Sequence, residues 1–116
     1  MAEIAASVRS RSREAVRILS RLGRVRAAYV FGSHAQGTPG PWSDLDIAAF
    51  MEGVEGWDIQ RRARAMVLVQ KAVGPDVEAH LFPARVLENP PPGSFAQYVM
   101  RHGVLVEIED PLSRTG

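Results

Sequence analysis

Two acids, Asp44 and Asp46, open an apolar run, and they stand ten residues after a Gly-Ser pair that closes another. The stretch reads Val30-Phe31-Gly32-Ser33-His34-Ala35-Gln36-Gly37, then a Pro/Gly segment, then Trp42-Ser43-Asp44-Leu45-Asp46-Ile47. Side chains at i and i+2 of a strand point to one face, about 6.6 Å apart along the backbone. Asp44 and Asp46 therefore share a face, while Leu45 and Ile47 make the other face apolar and able to join a core. Two carboxylates so placed can share one hard cation and reach toward a second. Gly32 allows a sharp turn and a close approach to an anion, and Ser33 offers a hydroxyl and a backbone N–H to phosphate oxygens. Alone, Ser43-Asp44-Leu45-Asp46 reads equally well as a turn or a helix cap, since Ser and Asp favour both. The Gly-Ser pair upstream is what turns the balance toward a site.

A third acid is available. Asp76-Val77-Glu78-Ala79-His80-Leu81-Phe82 alternates, with Val77, Ala79 and Leu81 on one face and Glu78 and His80 on the other. If this strand lies beside the one carrying Asp44 and Asp46, Glu78 reaches the same cation and can accept a proton from an incoming hydroxyl. His80 shares that face and could touch a phosphate or metal; a surface position is its plainer reading.

The segment Gly32 to Ile47 resembles the G-S-x10-D-x-D-[hydrophobic] signature of the DNA polymerase beta-like nucleotidyltransferase superfamily. Gly32-Ser33-His34-Ala35-Gln36-Gly37 followed by Ser43-Asp44-Leu45-Asp46 looks most like its minimal nucleotidyltransferase branch. The resemblance runs from about Tyr29 to Phe82. It implies a small mixed β-sheet in an α/β fold, with helices packed on one face and the catalytic acids on the other. It implies Asp44, Asp46 and Glu78 as catalytic and metal-binding residues, and Gly32 and Ser33 as the holders of a triphosphate. It also implies two Mg²⁺ ions, ATP as donor, and transfer of AMP to an acceptor hydroxyl with release of pyrophosphate. Two positions depart from the family pattern: Gln36 stands where Arg is usual, and Glu78 where Asp is more frequent. Related enzymes commonly add a helical acceptor-binding domain, and the resemblance implies an acceptor site expected on another chain. The resemblance points to a small helical HEPN-type toxin whose tyrosine would be the acceptor, or to a homodimer. A catalytically weak binding antitoxin and an aminoglycoside-type small-molecule enzyme are the alternatives.

Composition agrees. The chain has 116 residues, 46% of them apolar, which suits one folded domain and excludes a disordered chain. Residues 1–110 are expected to form that domain, with 111–116 a frayed tail. There is no cysteine, so disulfides and thiolate metal sites are excluded. No apolar run approaches membrane-spanning length and the N-terminus lacks a signal-peptide core, so a cytoplasmic protein is expected. The net charge of +1 gives no general case for nucleic-acid binding. Seven arginines do fall within the first 26 residues. Four of them, Arg9, Arg13, Arg17 and Arg21, recur every four positions opposite the apolar face of the first helix. They read as a solvated stripe or, less readily, as a docking surface for an acidic partner or for RNA.

The periodicity predicts a helix from about Glu3 to Leu22 with Ile4, Val8, Ala15, Ile18, Leu19 and Leu22 inward, ended by Gly23. A strand over Val25 to Phe31 and a loop over Gly37 to Pro41 follow, then a strand over Asp44 to Met51. A helix capped by Asp58 runs to Val73, stopped by Gly74-Pro75. A third strand spans Val77 to Phe82. After a Pro-rich linker, Ser94 caps a short helix reaching about Arg101, and Gly103 leads into a last strand over Val104 to Ile108. Trp57, Met66, Phe95, Tyr98 and Met100 exceed what a small three-stranded core needs, and are expected in part at an interface.

Overall fold

The computed structural model describes residues 4–37 and 44–108. The chain forms α1 (Ala6–Ser20), β1 (Val25–Phe31), a one-turn α2 (Ser33–Gln36), β2 (Leu45–Met51), α3 (Ile59–Val73), β3 (Val77–Pro83), α4 (Phe95–His102) and β4 (Val104–Leu105). Short 3-10 turns at Val54–Gly56 and Ala84–Leu87 complete it. The sheet order is β3-β2-β1-β4. β1 runs antiparallel to β2 and to β4, whereas β3 is parallel to β2 through the α3 crossover. The sheet is therefore mixed, as expected.

The strand with the strongest apolar run lies at the centre. From Ile47 to Met51 every residue of β2 is buried, so both faces of this strand are covered. On one face Leu45, Ile47, Ala49 and Met51 pack with Ala28, Val30 and Val77 under α1 and α3. α1 turns Val8, Ser12, Ala15, Val16 and Leu19 inward. Ser12 was not legible as a core residue; it is tolerated there because its hydroxyl donates to the Val8 carbonyl at 2.7 Å. The arginine stripe lies on the outer face, where Arg13 pairs with Glu107 and Arg17 with Glu14.

The opposite face is only partly open. α4 lays Ala96 and Val99 onto Phe31, Ala48 and Phe50, with Tyr29, Phe82 and Met100 around them. This second layer refines the expected open face: β2 carries apolar side chains on both sides, and α4 supplies the cover they require. The cover stops at the N-terminal end of β2, where Asp46 is the one β2 residue that is not buried.

Local signals placed several boundaries. Asp58 caps α3 by accepting from the Arg61 backbone N–H at 2.8 Å, and Ser94 caps α4 by accepting from Gln97. Asp58→Ala is expected to cost about 1 kcal/mol and lower Tm by roughly 4 °C, read from thermal melts; an unchanged Tm would show that α3 is held by packing alone. Gly103 ends α4 for a steric reason. A Cβ there would sit 2.6 Å from the Val99 carbonyl oxygen and 3.0 Å from that of Val30.

Other boundaries moved. α1 is shorter than expected at its C-terminal end, with Arg21 as its cap. The final strand is two residues long, although the Val106 N–H still donates to the Ala28 carbonyl at 2.8 Å. Of the five large residues assigned to an interface, Phe95 and Tyr98 are exposed. The other three pack internally: Trp57 against the first core and under the Arg61 guanidinium at 4.2 Å, Met100 in the second core, and Met66 against the Ala79 N–H. α3 instead shows Ile59, 84% exposed, with Val67 and Leu68. No helix among the described residues is long and apolar enough to cross a membrane. The expected loop beyond Gly37, together with Trp42, Ser43 and the tail 111–116, lies outside the described residues.

Candidate active site

Strand register brings two of the three expected acids, Asp46 and Glu78, together; Asp44 is not among the side chains that converge with them. Asp46 of β2 stands opposite Phe31 of β1 on one side and Glu78 of β3 on the other. Because β2 and β3 are parallel, Ala48 stands opposite His80, and its methyl group leaves room for the imidazole on the same face. His80 Nε2 lies 3.6 Å from an Asp46 carboxylate oxygen and 3.8 Å from one of Glu78. One donor atom from each of Asp46, Glu78 and His80 falls within 4.8 Å of the others. Asp46 is the inner acid, its side chain 25% exposed; Glu78, at 52%, faces solvent.

The electrostatics follow from this packing. Burial pushes the Asp46 carboxyl above its ordinary range, and the Glu78 charge adds to this. His80 acts in the opposite direction, and Asp44 makes the smallest upward contribution. Acidic charge gathered around the Asp46 carboxyl in this way favours a divalent cation. Asp44 itself is exposed, at the residue immediately before β2.

The Gly-Ser turn closes on the same point. Gly32 has φ of +78°, and a Cβ there would lie 2.9 Å from an Asp46 carboxylate oxygen. Both the left-handed backbone and the contact require glycine. Ser33 begins α2, a single turn in which the Ala35 and Gln36 N–H groups donate to the Gly32 carbonyl. Gln36 is occupied elsewhere: its side-chain amide donates to the Tyr98 hydroxyl at 3.2 Å, tying α2 to α4.

Two features differ from the sequence reading, in which His80 is a possible phosphate or metal contact but more plainly a surface residue. His80 is half-buried against the acids rather than on open surface, and its ring is held edge-on by Phe31 at 5.1 Å and Phe95 at 5.8 Å. The Glu78-x-His80 alternation was the signal for it. Phe95 and Tyr98 then extend this aromatic wall outward as a stacked pair; nothing in the sequence linked α4 to the acids.

Metal fit can be judged from the donor set. Two carboxylates and an imidazole converge, and among the described residues His80 Nε2 is a buried polar atom without a hydrogen-bond partner. These residues suit a divalent cation.

The profile of the nucleotidyltransferase domain family matches residues 12–97. A comparison with curated proteins gives no match. Two solved structures share the fold. One is a candidate nucleotidyltransferase from Sulfolobus solfataricus, with TM-score 0.55 and 20% identity over 84% of this chain and 78% of that one. The other is a toxin–antitoxin structure with AMP-PNP, with TM-score 0.59 and 24% identity over 84% of this chain and 74% of that one. The family match spans the Gly-Ser turn, both strands that carry the acids and the crossover between them, so the chain belongs to the nucleotidyltransferase domain family, as a minimal nucleotidyltransferase domain.

Proposed function

We propose that the protein transfers a nucleoside monophosphate, AMP from ATP, to an acceptor hydroxyl, with release of pyrophosphate. The observation that carries this reading is the convergence of Asp46, Glu78 and His80 against the Gly32–Ser33 turn, within a chain of this family. Asp44, Asp46 and Glu78 would hold divalent cations, Mg²⁺ or Mn²⁺. When bound, the cations supply charge neutralisation at the reacting phosphate and at the leaving pyrophosphate. Asp46 is fixed from both sides by strand register, so its carboxylate is held without further ordering cost. Glu78 would take the proton from the acceptor hydroxyl, a role that its greater exposure to solvent supports. Gly32 lets the backbone come close to phosphate oxygens, and Ser33 offers its N–H and hydroxyl to the terminal phosphates.

The acceptor we assign is a hydroxyl on another chain, a tyrosine of a small helical HEPN-type partner that this protein counteracts. The structural neighbour from a toxin–antitoxin assembly supports this, as do the exposed Ile59, Val67 and Leu68 of α3. The test is incubation with ATP labelled at the α-phosphate and divalent cation, with and without a candidate small helical HEPN-type partner. Label on a partner tyrosine bears the proposal out. Partner neutralisation without label would make the protein a binding antitoxin. Label on a small molecule alone would move it to the aminoglycoside-type class.

Ser33→Ala is expected to keep the fold and weaken triphosphate binding by about 2 kcal/mol, roughly thirtyfold, the cost of a lost hydrogen bond to a charged group. AMP, which lacks the terminal phosphates, should lose far less affinity. Equal losses for ATP and AMP by calorimetry would remove Ser33 from the triphosphate end.

A further inference from the structure

We infer that His80 is a direct ligand of the cation at this site, through Nε2, and that it biases the site toward Mn²⁺ over Mg²⁺. The inference rests on the nucleotidyltransferase reading for the presence of a cation, and on the geometry of this chain for the ligand.

Three observations support it. The first is distance: His80 Nε2 lies 3.6 Å and 3.8 Å from carboxylate oxygens of Asp46 and Glu78. Two donors 2.1 Å from a shared ion are about 3.0 Å apart when adjacent and about 4.2 Å apart when opposite. The observed separations match neither value but lie within roughly half an ångström of one or the other, so a small side-chain shift brings the donors onto one ion, and both exceed ordinary hydrogen-bond lengths. The second is the state of the atom: Nε2 is buried, and among the described residues it makes no hydrogen bond of ordinary length, its polar neighbours being the two carboxylates. A buried polar nitrogen of this kind needs a partner. The third is how the ring is held. Phe31 and Phe95 pack edge-on against it, so it enters the site with its orientation already restricted. On β3 it follows Glu78 by two residues, so one strand delivers both donors to one face.

The chemistry of the donor decides the selectivity. Mg²⁺ prefers an all-oxygen shell, whereas imidazole nitrogen suits first-row transition ions. Replacing one oxygen by nitrogen therefore favours Mn²⁺ relative to Mg²⁺. His80 would act as a specificity-determining ligand beside the acids.

The experiment is pulsed electron paramagnetic resonance on the intact chain with Mn²⁺ and inorganic tripolyphosphate, a probe that contains no nitrogen. The expected result is a ¹⁴N coupling of directly bound imidazole together with ³¹P coupling from the phosphates. The nitrogen signal should disappear in His80→Gln and persist in His34→Gln and His102→Gln. If His80→Gln does not fold, persistence in the other two variants, with the nitrogen pattern changed by ¹⁵N-histidine labelling, assigns the signal. In competition titrations the preference for Mn²⁺ over Mg²⁺ should fall at least about tenfold on loss of His80. Bound Mn²⁺ with ³¹P coupling but no nitrogen coupling would overturn the inference, leave the nucleotidyltransferase reading intact, and make His80 an ion-pair partner of the acids. Absence of Mn²⁺ binding would overturn both.

Discussion

Asp46→Asn is expected to abolish nucleotidyl transfer, a loss of at least about 10³-fold, because the site would lose several kcal/mol of charge stabilisation. Its effect on stability should run the other way. The folded-state pKa of Asp46 is raised, by burial first and by Glu78 second. Between the unfolded value of 3.8 and the higher folded value, the native chain keeps a proton that the unfolded chain has lost. Stability therefore falls as pH rises through that window, and the penalty is fully present above it. Without metal at neutral pH, Asp46→Asn should be at least as stable as the parent, and the difference should vanish below the window. Divalent cation with ATP should raise the Tm of the parent by binding the native state, and the variant should lose that shift. Melts across pH, with and without cation, measure both effects. A variant that is clearly less stable without metal, or that keeps the full cation shift, would show that Asp46 is a structural residue and that the cation binds elsewhere.

Phe50→Ala should give the largest loss of stability, about 3–5 kcal/mol, or on the order of 15 °C in Tm. Phe50 is fully buried, stacked on Phe82 at 5.1 Å and edge-on to Tyr29 at 6.0 Å. Its burial depends on α4, whose Ala96 and Val99 belong to the same cluster. If the sheet face that carries the acids were open to water, truncation there would cost no more than about 1 kcal/mol. Denaturant melts distinguish the two outcomes. A small cost would mean that α4 does not dock on this face in solution, and Phe95 would then no longer help Phe31 to confine His80.

The elements that the sequence determined by itself are those set by local chemistry. Asp58 and Gly74 bracket α3 because a carboxylate satisfies the first free N–H groups and glycine stops the helix. The alternation in Val77 to Phe82 marked β3, and the Gly32-Ser33 to Asp44-x-Asp46 spacing marked the sharp turn at Gly32 and the acid-bearing strand, because each is written in neighbouring residues. The register that sets Asp46 opposite Glu78 was an expectation that only the fold could decide. The two residues are joined through α3, and the packing of that helix on the sheet determines which residues of β2 and β3 align. His80 shows the limit most clearly. In the sequence it is one more residue on a strand face; in the fold Ala48 leaves it room, Phe31 and Phe95 orient it, and two carboxylates meet it. All of these contacts except that of Glu78 come from β1, β2 and α4, far apart along the chain, so local periodicity could report only the Glu78 neighbour. The same reason hid the second layer: α4 was readable as a helix, but the face of the sheet it covers follows from the demand of Phe50 and its neighbours for burial, which only tertiary packing satisfies.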